Sequence, residues 1–249
     1  MMLANKTLFI TGVTSGIGEG LLRHACVHGA RVYGCGRNEA KLNALASEYS
    51  SFVPIVLDIS KHEDWRRCFC NQLVDVSFDI AILNAGTCEY LDDAHIDVAL
   101  VDRLVATNFS GNILGMQMLM DKMTHSGGGT IAVMSSSAAF FPMPRAEAYG
   151  ASKAALSYFT EAYAVSAKCK GIHFCTINPG FIKTPLTDKN DFPMPMMVSS
   201  EQLAKKVFDG LLKKKATINY PVIFTSVLRM IGCLPVNFRQ WIAGRMLKT

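Results

Sequence analysis

Residues 7–18 read Thr-Leu-Phe-Ile-Thr-Gly-Val-Thr-Ser-Gly-Ile-Gly, an apolar run that ends in glycines spaced G-x-x-x-G-x-G and passes straight into a helical pattern. Few folds accommodate such a segment. The apolar residues suit a strand buried on both faces. Gly12 permits a tight turn, Gly16 lets backbone approach a pyrophosphate, and Gly18 lets the helix pack closely on the strand. The helix N-terminus then offers free N–H groups and a positive dipole end to phosphate. Thr14, Ser15 and Ile17 complete the turn and are counted with the glycines as cofactor-binding residues.

The rest of the chain repeats the same alternation. Short β-branched runs at 7–10, 32–35, 53–57, 80–83, 130–134 and 173–177 are separated by segments of helical period at about 16–28, 38–48, 61–73, 97–124, 147–169 and 199–213. Strand and helix in strict alternation predict an α/β fold, a Rossmann-type doubly wound parallel sheet covered on both faces. No repeat, low-complexity tract or linker divides residues 1–249, so a single domain is expected, its core at about 5–190. The Pro/Met-rich piece at 191–197 is too short for a linker, and residues 186–198 are expected to form a substrate lid.

The chain has 249 residues, 50% of them hydrophobic, enough for one full core. No run of 18 or more residues is uniformly apolar, which argues against a transmembrane helix. The start lacks a basic stretch followed by a long apolar one, so no cleaved signal peptide is expected. Eight cysteines lie scattered without C-x-x-C or His/Cys ligand spacing. They read as buried thiols in a reducing, cytoplasmic setting, with no metal site. Charge is uneven. From Gly210 onward there is no acid and there are seven cations, whereas the first 209 residues carry 18 Lys+Arg against 20 Asp+Glu.

The expected strand ends carry polar residues suited to a dinucleotide. After the second strand, Gly36 and Arg37 offer room and a cation where an acid would bind an unmodified ribose. That pair points to NADP(H), with NAD(H) as the alternative; Arg37 could instead be a solvated helix start. Asp58, followed by Ile59, is placed to accept from adenine, or to cap the next helix, as could Ser60. Asn84, Ala85 and Gly86 end the fourth strand with small residues against the adenosine side.

Tyr149 and Lys153 lie four residues apart, one turn on one face of a helix. A nearby ammonium favours the phenolate and lowers the tyrosine pKa towards working pH. Ser136, thirteen residues upstream, leaves room for a strand end and a returning loop.

Taken in order, Thr11-Gly12-x-x-x-Gly16-x-Gly18, Asp58, Asn84-Ala85-Gly86, Asn108, Ser136, Tyr149-x-x-x-Lys153 and Asn178-Pro179-Gly180 resemble the classical short-chain dehydrogenase/reductase family over about residues 5–190. The resemblance implies a catalytic tetrad. Tyr149 would be the acid in reduction and the base in oxidation. Lys153 would lower its pKa and hold the nicotinamide ribose. Ser136 would bind the substrate oxygen, and Asn108 would hold a water in a proton relay. Pro179, Gly180, Ile182 and Thr184 would fix the nicotinamide carboxamide, giving pro-S hydride transfer. The resemblance also implies a homodimer or homotetramer built on the helices at 97–124 and 147–169. It leaves open an epimerase or dehydratase. A non-catalytic NADPH-binding regulator or scaffold is the reading from another class.

The remaining loops suggest the substrate. Phe192, Met194, Met196, Met197, residues 140–143 and residues 88–91 would make an apolar, adaptable wall. Arg145 is the one candidate anion clamp, and a solvated loop charge is its plainer reading. A hydrophobic carbonyl or alcohol is therefore expected: steroid-, lipid- or terpenoid-like. The tail, 225–249, places Leu228, Ile231 and Leu234 at helical spacing and continues after Pro235 with Phe238, Trp241 and Ile242, punctuated by Arg229, Arg239, Arg245 and Lys248. It reads as a basic amphipathic helical extension that either makes peripheral contact with an anionic membrane surface or packs on its own domain or a second subunit. Nucleic acid is not expected, because no basic cluster interleaved with aromatics marks the body.

Overall fold

The computed structural model describes residues 3–91 and 95–247, the side chain of Lys189 excepted. Lys248, expected at the end of the basic tail, lies outside the described residues.

Among the described residues seven strands form one sheet: β1 Thr7–Thr11, β2 Arg31–Gly36, β3 Phe52–Val56, β4 Ile80–Leu83, β5 Gly129–Met134, β6 Ile172–Pro179 and β7 Thr217–Tyr220, in the order β3-β2-β1-β4-β5-β6-β7. Every pairing is parallel. The chain runs outward from β1 to β3, then returns to the other side of β1 as β4. Connections that part in this way leave a crevice at the strands' carboxyl ends, the place where ligands bind open α/β sheets.

Helices cover both faces: α1 Gly16–Val27, α2 Glu39–Glu48, α3 His62–Arg67, α4 Val98–Val105, α5 Gly111–His125, α6 Glu147–Ser166, α7 Ser200–Leu212, α8 Val222–Gly232 and α9 Val236–Met246. The alternation of β1 sorts the core into two layers. Leu8 and Ile10 join Leu21, Leu22, Leu203 and Val207, whereas Phe9 joins Trp65, Phe69, Leu114 and Leu156. Each such side chain, fully buried, stabilises the fold by roughly 1.5–3 kcal/mol.

The helix expected over 61–73 ends at Arg67 and continues as a π turn at Cys68–Gln72, and three further departures bear on the site and the tail. The helix expected over 97–124 continues from Val98 to His125, but a wide π turn at Ala106–Ser110 separates α4 from α5. The short edge strand β7 is an addition. Its four residues, Thr-Ile-Asn-Tyr, follow closely on three lysines and precede a proline, so no apolar run marks it. The third departure is in the tail. Pro235 does separate two helices, and Leu228 is buried, but Leu234 is exposed. No residue of α9 is buried. Its Val236, Phe238, Trp241 and Ile242 are spread around the axis with Arg239 and Arg245 among them, so α9 is not amphipathic. No helix among the described residues is long and apolar enough to cross a membrane.

Candidate active site

Because all strands are parallel, the six segments that follow β1 to β6 emerge along one edge of the sheet. After β1, Gly12 and Gly16 adopt φ +74° and +56°, left-handed values that only glycine holds without strain. A Cβ on Gly18 would overlap the Gly12 carbonyl oxygen, which is why helix and turn approach so closely. Thr14 packs on Gly36, and Ile17 packs against the core. Ser15 caps α1 without a side-chain bond, leaving first-turn N–H groups to an outside acceptor. Thr11 ties this turn to the end of β4: its Oγ1 accepts from the Asn84 and Ala85 amides, each at 2.9 Å, and Asn84 Nδ2 donates to the Thr11 carbonyl at 2.9 Å. The sequence reading assigns Thr11 no such role.

Arg37 stands exposed beyond β2, near enough to Asp58 to favour its charge. Burial works against the Asp58 carboxylate, but hydrogen bonds from Ser60 outweigh it and hold the pKa below the usual range. The Ser60 amide and hydroxyl donate to Asp58 Oδ1 at 3.0 and 2.7 Å. Neither Asp58 nor Ser60 caps α3, whose N-cap is Lys61; the two instead close a local turn, and the adenine reading stays an expectation. Ile59 is buried, and its carbonyl accepts from Trp65 Nε1 at 3.0 Å. After β6, Gly180 donates to the Tyr220 carbonyl at 2.9 Å, beside Pro179. Ile182 and Thr184 are buried, and Thr184 lies against Gly16, so the loop after β6 meets the glycine turn. These backbone and hydroxyl groups form a cradle suited to a dinucleotide.

Ser136, Tyr149, Lys153 and Asn108 converge beside it. Ser136 leaves β5 and accepts from the Ala138 amide at 3.1 Å, its hydroxyl near enough to the Tyr149 phenol to favour the phenolate. Lys153 is 3% exposed; its Nζ donates to the Met134 carbonyl at 2.8 Å and lies 5.9 Å from the Tyr149 ring centre. A Cβ on Gly86 would press on both Lys153 Nζ and Asn108 Oδ1, each at 3.0 Å. Asn108 sits in the π turn, a distortion found at functional sites. Its Oδ1 accepts from the Thr87 amide at 2.8 Å, and its Nδ2 donates to the Thr87 carbonyl at 2.9 Å and Ser152 Oγ at 3.1 Å.

Three supporting residues escape the sequence reading. Asn112 Nδ2 donates to the Thr107 and Asn108 carbonyls at 3.1 and 3.0 Å, satisfying groups that the wide turn releases. Ser152 donates to the Tyr149 carbonyl at 2.7 Å, and Ser135 to the Lys153 carbonyl at 3.0 Å. Their nearness to the tetrad in sequence is the one signal that could have found them.

The electrostatics differ from the simple expectation for Tyr149. Burial and the Cys88 thiol push the phenol up, against the opposing effect of the nearby Ser136 hydroxyl. Lys153 does not offset this, because its own charge is disfavoured: burial brings it down to about 8. A buried ammonium that is half neutral near pH 8 stabilises a phenolate less than one that stays fully charged.

The expected lid is pinned at its base, where Lys183 donates to the Val198 carbonyl and Val198 to the Phe181 carbonyl, at 2.9 and 3.1 Å. Tyr90 donates to Asn190 Oδ1 at 2.8 Å and meets the Phe192 ring edge-on at 5.8 Å. Arg145 is not the solvated charge expected. It pairs with Asp191 at 2.8 Å and lies over the Tyr90 ring.

Comparison with known proteins agrees with this geometry. The model of the short chain dehydrogenase family matches residues 6–193. An uncharacterised oxidoreductase of Myxococcus xanthus is 28% identical over 94% of each chain. The 11-beta-hydroxysteroid dehydrogenase 1A of Arabidopsis thaliana is 29% identical over 89% of this chain and 70% of its own. The crystal structure of a 3-ketoacyl-(acyl-carrier-protein) reductase from Brucella melitensis, complexed with NADH, superposes with a TM-score of 0.80 at 25% identity, covering 88% of this chain and 97% of that one. With the family match spanning most of the chain and the glycine turn, Ser136, Tyr149 and Lys153 gathered at one sheet edge, the chain belongs to the short-chain dehydrogenase/reductase family of NAD(P)-dependent oxidoreductases.

Proposed function

We propose that this enzyme interconverts a hydrophobic ketone and its secondary alcohol with NADP(H). The observation that carries the reading is the convergence of Ser136, Tyr149 and buried Lys153 at the carboxyl edge of the sheet, with the rings of Tyr90, Phe181 and Phe192 in contact in the neighbouring loops. A bound nicotinamide supplies or accepts the hydride. Ser136 then holds the substrate oxygen and Tyr149 exchanges a proton with it. Lys153 and Asn108 keep that proton supplied from the interior. Gly12, Thr14, Ser15, Gly16, Ile17 and Gly18 hold the pyrophosphate, Asp58 and Ile59 with Asn84, Ala85 and Gly86 border the adenosine, and Pro179, Gly180, Ile182 and Thr184 fix the nicotinamide.

Phe192, Phe181 and Tyr90 support an apolar substrate, since Arg145 is engaged by Asp191. The hydroxysteroid dehydrogenase relative favours the same class. Arg37 favours NADP(H), whereas the NADH-bound neighbour keeps NAD(H) as the alternative. Outward apolar residues on α4 and α6, Val98, Tyr158 and Val165, fit a homodimer or homotetramer. The tail is the proposed point of contact with a membrane surface. Arg37→Ala tests the cofactor reading: the ratio of kcat/KM for NADPH over NADH should fall about 10- to 100-fold, the worth of one charge-assisted contact. An unchanged ratio would refute NADP selection by Arg37.

A further inference from the structure

α8 is apolar on two sides, and the described residues cover one. The inner side carries buried Thr225 and Leu228, with Phe224 against Phe181 at 5.2 Å between ring centres. Gly232 abuts the loop after Ser136 so closely that a Cβ there would overlap the Phe140 carbonyl. The opposite side presents Val222, Ile223, Val227 and Met230, of which Ile223 and Met230 are 67% and 64% exposed. Ser226 and Arg229 form a polar strip between these two sides, and an exposed apolar row beside it marks a contact surface. This outer face is not the Leu228–Ile231–Leu234 row suggested by the sequence.

We infer that the outer face of α8 docks on an anionic membrane surface and brings the substrate lid to the lipid phase. This deepens the hydrophobic-substrate reading and rests on it for the role of docking, though not for docking itself. Charge selects the occupant. Lys213, Lys214 and Lys215 precede β7, at the opposite edge of the sheet, but beyond Pro221 the described tail carries Arg229, Arg239 and Arg245 and no acid. A symmetrical contact between two copies would set like charges against one another, whereas an anionic leaflet complements them. α9 adds exposed Phe238 and Trp241, with Arg245 4.1 Å over the Trp241 ring. Arg239, whose Nε is shielded and has no acceptor among the described residues, adds a second guanidinium to this helix. An aromatic series from Phe224 through Phe181 and Phe192 to Tyr90 joins the docking helix to the lid.

The test is sedimentation of the full chain with vesicles of phosphatidylcholine alone or mixed with phosphatidylserine, for wild type and Ile223→Asp/Met230→Asp. Wild type should sediment with the mixed vesicles and less with the neutral ones. The double variant should bind about tenfold more weakly or worse, while reducing a water-soluble ketone at the wild-type rate. Wild type that stays in the supernatant with both vesicles, or a variant that binds as well, overturns the inference. So does a variant that dissociates an oligomer on size exclusion, because a second copy then covers the face. Sedimentation does not depend on turnover, so an incorrect substrate class would leave vesicle binding intact.

Discussion

At the scale of single residues, Lys153 carries the most exposed test of the electrostatics. Its folded pKa, about 8, lies below the ordinary lysine value of 10.5. Between those values the unfolded chain holds a proton that the folded chain has released, so this residue's contribution to stability rises with pH across the window. Compared with Lys153→Met in denaturant titrations, wild type should gain up to about 3 kcal/mol between pH 8 and 10.5. A gap that is flat or falls with pH would show that the ammonium is not desolvated. Tyr149 and Lys153 are legible in the sequence because a helix converts a spacing of four into a shared face. The partners of Lys153 and Asn108 are not. They are backbone carbonyls and small hydroxyls from other elements, and a π turn leaves no periodic mark in a sequence.

At the scale of elements, the proposed lid is clasped from two sides, by Arg145 to Asp191 and by Tyr90 to Asn190. Arg145 lies four residues before Tyr149, so one short segment carries both the clasp and the candidate acid. Reversing one charge, in Arg145→Asp or Asp191→Arg, should raise KM by about 3- to 10-fold, since an exposed ion pair contributes little. The double reversal should recover most of the loss. Singles without effect, or a double no better than either, would mean the pair does not hold the lid. Proline and methionine content predicts the lid's place, yet pairing across 46 residues depends on folded proximity. The strands that lie inside the sheet are readable from apolar runs, while β7, half exposed at the edge, has no such run to show.

At the scale of the molecule, strand order explains why scattered motifs become one site. The return of the chain from β3 to β4 opens the edge between β1 and β4, and parallel pairing sends every loop that bears a motif to that edge. The tail obeys no such rule. It lies beyond the span matched by the family model, and its outward face becomes visible only when the body has claimed the inner one.

In the proposed reaction Tyr149 exchanges a proton with the substrate oxygen as hydride passes to or from an apolar carbonyl. The most direct test is transfer of label from 4-pro-S-deuterated NADPH to hydrophobic ketones, followed by mass spectrometry with Tyr149→Phe alongside. Deuterium is expected in the alcohol product with wild type, at a rate about 10²- to 10⁴-fold lower with the variant, the usual worth of a positioned acid. Equal transfer by the variant, or no transfer by protein that binds NADPH, would contradict the proposed reaction.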